Sequence, residues 1–299
     1  MHKIILDCDN AIGIRRSDID DGLTFLYLYG HPEVELLGLS TTFANNTLPV
    51  VYHNTLQFFE DLGIEDMPVL RGGRDFKDFD SEASRFLAEQ ASRYPGEIEL
   101  IAIGSLVNVY GAYLKDSSFF EKLKGIYIMG GILEPLYLNG YLVRELNFSV
   151  APKAAYEVFK HAKNITLLSS QTTSQARFTE KEVGELYAQG TGLSRYLKPI
   201  VEDWMDYLEP RYRQRCFHNW DLVAAMAVTN PDLFVTGPLR VAIVEKNFEQ
   251  GLIPPDPSGK ELLHPERIRD LDTFNRNFID TLKLADKKCR VQYYPDFLL

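Results

Sequence analysis

The strongest constraint on this chain is a rhythm. Between residues 3 and 168, short apolar runs alternate with longer amphipathic stretches. Lys3–Leu6, Val34–Thr42, Ile98–Ile103, Gly125–Met129 and Ile165–Leu168 read as buried strands, short, rich in aliphatic residues and bounded by turn formers. Between them, Asp20–Tyr29, Val50–Leu62, Glu82–Tyr94, Leu106–Leu114 and Pro152–His161 repeat apolar residues at helical spacing. Strands that alternate with helices lie parallel, because each helix carries the chain back to the start of the next strand. The expected fold class is α/β, with a mostly parallel central sheet and helices on both faces. Beyond residue 170 the pattern turns helical, and Glu180–Gln189, Leu193–Leu208 and Asp221–Val228 are expected as additions in the C-terminal third. A strand at Leu239–Val244, a turn-rich stretch at Gly251–Gly259 and a helix at Leu271–Leu284 close the pattern. No repeat or composition break divides residues 1–299, so one domain is expected.

Composition narrows the partners. The chain has 299 residues, 45% of them hydrophobic, which is enough for a large core. Its formal net charge is -10, and such an acidic balance argues against nucleic acid, whose binding depends on Lys and Arg displacing counterions. A neutral small molecule fits better. Cys8, Cys216 and Cys289 form no CxxC pair and no even framework, which suggests a reducing compartment. The opening MHKIILDCD is too short in its apolar part for a signal peptide, and no later segment is long and apolar enough to span a bilayer. The expected location is cytoplasmic, with no membrane partner.

The chemistry gathers at the end of the first strand. In ILDCDNAIGIRRSDIDDG, residues 5–22, Asp7 and Asp9 follow the apolar run, and Asp20-Asp21 follow the insert Asn10–Ile19. Crowded carboxylates raise one another's pKa unless a cation or hydrogen-bond donors compensate. Three readings compete. Asp18 and Asp20 suit a helix start, where negative charge is favourable, but that leaves Asp7 and Asp9 unexplained. An Asp-x-Asp after a first strand also suits a phosphotransferase of the haloacid-dehalogenase type. The third reading is a hard-cation site built from carboxylate oxygens.

The rest of the chain favours the third. Asn45-Asn46-Thr47 follows the second strand; then come IAIGSLVNV (101–109), YIMGG (127–131), NGYLVRELNFSVAPKAA (139–155) and HNWDLVAA (218–225). With LDCD and DIDDG, these segments resemble, in order and separation, the motifs of the inosine-uridine-preferring nucleoside hydrolase family. Those motifs are a first-strand DxDPGxDDA, a GN after the second strand, a TGPLTN turn, an MGG, an ExN and a late (H/W)D. The resemblance runs from about residue 3 to 230.

The resemblance implies Ca²⁺-dependent hydrolysis of ribonucleosides to free base and ribose, by a homodimer or homotetramer. It implies that Asp9 is a Ca²⁺ ligand and the general base. Asp21, Asp221 and the backbone carbonyl of Ile103 would complete the protein ligands, with Asp7 supporting them. Asp20, Asn45, Asn139, Glu145 and Asn147 align with ribose-binding positions, and Asn147 joins Asp9 as catalytic. Glu145 and Asn147, two apart, would share one side of an extended segment. A breaking N-glycosidic bond develops ribosyl cation character, which acidic surroundings stabilise. Non-catalytic readings stand beside these: Asn45 and Asn147 also suit turns, and Glu145 could pair with Arg144.

Two departures from the family pattern bear on substrate. Ten residues, not the usual three, separate Asp9 from the Asp pair, and the Pro-Gly is absent; Arg15 and Arg16 on that loop are open to ligand contact or to solvent. Trp220 stands where many members carry His, which resembles the purine-specific branch and suggests stacking on the base. His218 is the candidate leaving-group acid. The segment after Gly72-Gly73 lacks the family's His-Gly-rich loop. A binding protein that kept the metal site but lost turnover is the non-enzymatic alternative.

Overall fold

A computed structural model describes residues 1–292. In chain order, β1 (His2–Cys8), α1 (Asp20–Gly30), β2 (Val34–Thr41), α2 (Leu48–Leu62) and β3 (Val69–Leu70) come first. Then follow α3 (Glu82–Arg93), β4 (Ile98–Ala102), α4 (Val107–Lys115), α5 (Phe119–Lys122) and β5 (Gly125–Met129). A small hairpin, β6 (Tyr137–Leu138) and β7 (Tyr141–Leu142), precedes α6 (Pro152–His161), β8 (Ile165–Leu168), α7 (Ser170–Thr173) and β9 (Arg177–Thr179). The last third holds α8 (Glu180–Ala188), α9 (Gly192–Tyr212), β10 (Cys216–His218), α10 (Leu222–Thr229), β11 (Phe234–Val241), α11 (Glu245–Phe248), β12 (Lys260–Ile268) and α12 (Leu271–Lys288).

The main sheet has eight strands in the order β11-β12-β8-β5-β4-β1-β2-β3. Every pairing is parallel except β11 with β12. This is the expected α/β architecture. β1 explains why the sheet is central: Ile4, Leu6 and Cys8 enter the core on one face and Ile5 the core on the other. One face is covered by α1, α2, α9, α10 and α12, through residues such as Phe25, Phe58 and Phe278. The other is covered by α3, α4 and α6, through Leu87, Val109 and Phe159. Local chemistry sets the helix ends. Ser81 and Ser84 form a reciprocal capping box on α3, and Gly63 ends α2 in the left-handed region at φ 63°.

The differences from sequence expectation have physical causes. The strand expected at Leu239–Val244 is β11, Phe234–Val241, and it pairs antiparallel with β12, whose charges and Pro265 mask a strand pattern. Helix α9 runs past the expected Leu208 to Tyr212, although Pro199 and Pro210 lie within it. Asp221 is the N-cap of α10 rather than its first residue. Strands β6, β7, β9 and β10 are two or three residues long and leave no periodicity to read. Among the described residues, no helix is long and apolar enough to cross a membrane.

The strand order places the site. From β1 the chain runs outward through β2 and β3, then returns to β4 on the other flank of β1 and continues to β5 and β8. The order therefore reverses between β1 and β4, and a crevice opens beyond their carboxyl ends. Asp9 follows one of these strands and Ile103 follows the other.

Candidate active site

Asp9 is buried just past the end of β1. Its backbone N–H donates to Asp21 Oδ1 at 3.0 Å, so the ten-residue insert closes on itself and brings the two aspartates together. Asn45 binds both, its N–H donating to Asp9 Oδ2 and its Nδ2 to Asp21 Oδ2 at 3.0 Å. At the start of α10, the Asp221 N–H donates to Asp20 Oδ2 at 3.3 Å. The buried Asp20, Asp21 and Asp221 each offer a carboxylate oxygen within 4.8 Å of the others.

Asp9 Oδ1 is buried with no hydrogen-bond partner. Burial pushes Asp9 up to about 7, against the pull of the Asn45 N–H, and Asp18 and Asp7 push it further. Asp20 rises to about 6, again chiefly through burial. Asp21 and Asp221 are raised well above the ordinary carboxylate range, first by burial and then by neighbouring carboxylates, Asp9 and Asp20 beside Asp21 and Asp20 and Asp21 beside Asp221. This donor set is all oxygen, acidic and short of hydrogen bonds, which is what a hard divalent cation accepts. Asp20, Asp21 and Asp221, with the orphaned Asp9 oxygen beside them, fit such an ion.

Asp7 is one shell removed. Its Oδ1 accepts from Ser40 Oγ at 2.5 Å and from Asn108 Nδ2 at 2.8 Å. Asn108 also donates to the Thr41 carbonyl, and its Oδ1 accepts from Gly73 N and Ser81 Oγ. It thereby ties β1, β2 and the start of α3 beneath the site. Asn108 lies within the IAIGSLVNV motif, so a signal for it existed, but nothing in the motif announced its place under Asp7.

Above the carboxylates opens a cavity of about 340 Å³. Asp20, Asn45, Ile103, Glu145, Asn147, Trp220 and Asp221 line it, together with Asp18, Tyr212 and Arg211. Asp9 and Asp21 lie beneath, reached through Asn45. Asn147 Nδ2 donates to the Ile103 carbonyl at 3.0 Å and to the Met129 carbonyl at 3.2 Å, joining the ends of β4 and β5. Glu145 and Asn147 do not lie on one extended segment, because a turn begins at Asn147. The Glu145 carboxylate accepts from the N–H groups of Gly131, Phe148 and Ser149 rather than from Arg144. Burial still pushes it up to about 7.

Two sequence candidates stand apart from the cavity wall. Asn139 sits at the tip of the β6–β7 hairpin with φ 48°, and its Nδ2 donates to the Tyr212 carbonyl at 2.5 Å. Asn139, expected among the ribose-binding positions, stands with Gly140 in the turn of this hairpin. His218 lies beside the wall, its ring 5.0 Å from Trp220 and 5.6 Å from Tyr212. Burial lowers His218 to about 4, so at neutral pH it holds no extra proton to donate. Asp18, which the sequence offered only as part of a helix start, also reaches the wall.

Gly104 shows how tightly Asp9 is held. A Cβ there would stand 2.6 Å from both Asp9 Oδ1 and Thr42 Cγ2. Gly104→Ala is expected to displace the Asp9 carboxylate and lower kcat by roughly 10- to 100-fold. The accompanying loss of stability should be only about 1–3 kcal/mol. Steady-state kinetics beside a thermal melt would separate the two effects.

Comparison with known proteins agrees with this geometry. The family model described as inosine-uridine preferring nucleoside hydrolase matches residues 4–272. Uridine nucleosidase 1 of Arabidopsis thaliana is 30% identical over 260 residues, covering 78% of this chain and 75% of its own. The inosine-uridine preferring nucleoside hydrolase of Crithidia fasciculata is 26% identical, covering 77% of this chain and 76% of its own. Among solved structures, a plant nucleoside hydrolase superposes with a TM-score of 0.82 at 22% identity, over 94% of this chain and 98% of that one. A purine-preferring ribonucleoside hydrolase from Gardnerella vaginalis also gives 0.82, at 21% identity, over 95% and 99%. With the parallel sheet, the carboxylate floor and a family match across most of its length, this chain belongs to the inosine-uridine preferring nucleoside hydrolase family.

Proposed function

We propose that this protein hydrolyses the N-glycosidic bond of ribonucleosides, releasing base and ribose, with Asp9 as general base and Ca²⁺ as cofactor. The observation that carries the reading is Asp9 Oδ1, buried without a partner beside the Asp20, Asp21 and Asp221 cluster under the cavity. Asp21, Asp221, Asp9 and the Ile103 carbonyl would hold the ion, and Asp20, placed beside them, either joins them or takes a ribose hydroxyl. Ca²⁺, when bound, orients the sugar hydroxyls and makes a water more acidic. Asp9 takes a proton from the attacking water as the water oxygen bonds to C1′. The C1′–N bond breaks, and its electron pair leaves with the base, which takes up a proton from solvent. Asp20 and the amide oxygen of Asn147 stabilise the positive charge that develops on the sugar. The base rests against Trp220 and Tyr212, which offer flat apolar faces.

The test is release of reducing sugar from inosine, adenosine, uridine and cytidine, with and without a chelator. Ribose from at least one nucleoside, abolished by chelator and restored by Ca²⁺, is the expected result. Ca²⁺-dependent nucleoside binding with no ribose from any of the four would instead indicate a binding protein.

A further inference from the structure

One part of the cavity wall stands just ahead of Glu145 and Asn147, in the segment that carries Asn139-Gly140. It is the β6–β7 hairpin, which forms a separate two-stranded sheet. Its turn residues Asn139 and Gly140 both have positive φ, 48° and 85°, the type I′ geometry that suits a tight hairpin. An isolated two-stranded hairpin is only marginally stable in water and needs something to pack against. This one exposes apolar surface, with Tyr141 at 43% and Leu142 at 48% relative exposure. Leu138, Tyr141 and Leu142 line the same cavity as Tyr212 and Trp220. The hydrogen bond from Asn139 Nδ2 to the Tyr212 carbonyl ties the hairpin to the end of α9.

We propose that Tyr141 is a substrate-contacting residue that sets affinity for the nucleobase. With Leu138 it forms a jaw that closes the base against Trp220 and Tyr212, and Asn139 is the clasp of that jaw. An exposed aromatic ring lining a cavity is apolar surface waiting for a flat partner, and every nucleobase offers a π face. Stacking of this kind does not discriminate by hydrogen-bond pattern, so the jaw favours bases by the area they present, purines above pyrimidines.

This inference rests on the hydrolase reading, and the experiment keeps the two apart. Tyr141→Ala and Tyr141→Phe are compared with the natural protein for kcat and KM on inosine and uridine, and for product inhibition by free ribose. Tyr141→Ala is expected to raise KM for inosine about tenfold, and for uridine less, with kcat within about threefold. Tyr141→Phe should match the natural protein, and ribose inhibition should not move in either variant, since ribose has no base to stack. An inosine KM unchanged in Tyr141→Ala, or an equal loss in Tyr141→Phe, overturns the jaw while leaving hydrolysis intact. If the natural protein releases no ribose at all, the hydrolase reading fails. Equilibrium binding of inosine to the natural protein and to Tyr141→Ala then decides the jaw by the same ratio. Because Tyr141 is exposed, its replacement should leave the melting temperature in place.

Discussion

Asp9→Asn should lower kcat on the best nucleoside by about a thousandfold, within the range that a positioned general base contributes. Asparagine is isosteric, and its amide oxygen can still accept the Asn45 N–H that now holds Asp9 Oδ2. The substitution therefore removes basicity with little change of shape. What it cannot do is take a proton from water. KM should change far less than kcat, because the lost interaction belongs to the transition state. Calorimetric titration with Ca²⁺ on the same variant separates loss of the base from loss of the ion. A fall of less than tenfold in kcat, with Ca²⁺ binding retained, would remove Asp9 from the role of base.

Removing the metal should abolish turnover and also reverse the protein's response to pH. Burial raises Asp7 and Asp9 to about 7 and Asp20 to about 6, against about 4 for an aspartate in an unfolded chain. Between those limits the folded state binds more protons than the unfolded state. Stability in chelator must therefore fall as pH rises from about 4 to 7, by the linkage between proton uptake and folding. A divalent cation neutralises Asp9, Asp20 and their neighbours in the cluster and competes with their protons, so its stabilisation grows as pH rises. At a hundredfold excess over its dissociation constant, a ligand adds about 2.7 kcal/mol, or roughly 5 °C in melting temperature for a chain of this size. Melts across pH 5 to 8, with EDTA and with Ca²⁺, would show diverging curves. Parallel curves would show that the cluster holds no ion.

Much of the fold was legible because its signals are local and repeated. β5, α6 and β8 lie where their composition placed them, and β1 and α1 differ from expectation only at their ends. A buried parallel strand is a continuous apolar run, and its end is announced by the polar residues that follow. Part of the candidate floor was legible for the same reason, since Asp9 follows a strand and Asp20 and Asp21 begin a helix, whereas Asp221 came only with the family resemblance. The walls were not. Asn139 and His218 each sit in motifs whose order is right, yet their side chains are turned by a hairpin and by a short β ladder, neither of which has a period to detect. Glu145 was legible as a site residue but not in its bonding, because its partners are backbone amides and every residue except proline supplies one. Asp18 and Tyr141 are single residues on irregular or very short segments, and only the three-dimensional arrangement shows them facing the same cavity.

The insert Asn10–Ile19 has a consequence for how this family can vary. It is folded against its surroundings: Asn54 Nδ2 donates to the carbonyls of Asn10 and Ile12, and the Arg16 N–H donates to Asp203 Oδ2. The aspartates at its two ends, however, are joined by the hydrogen bond from the Asp9 N–H to Asp21 Oδ1 and by Asn45, which donates to both. The aspartates thus keep their mutual position whatever length of chain passes between them. Lengthening such a link from three residues to ten costs only about 1 kcal/mol in closure entropy. Segments of other lengths should therefore fit between Asp9 and Asp20 without moving the carboxylates beneath them.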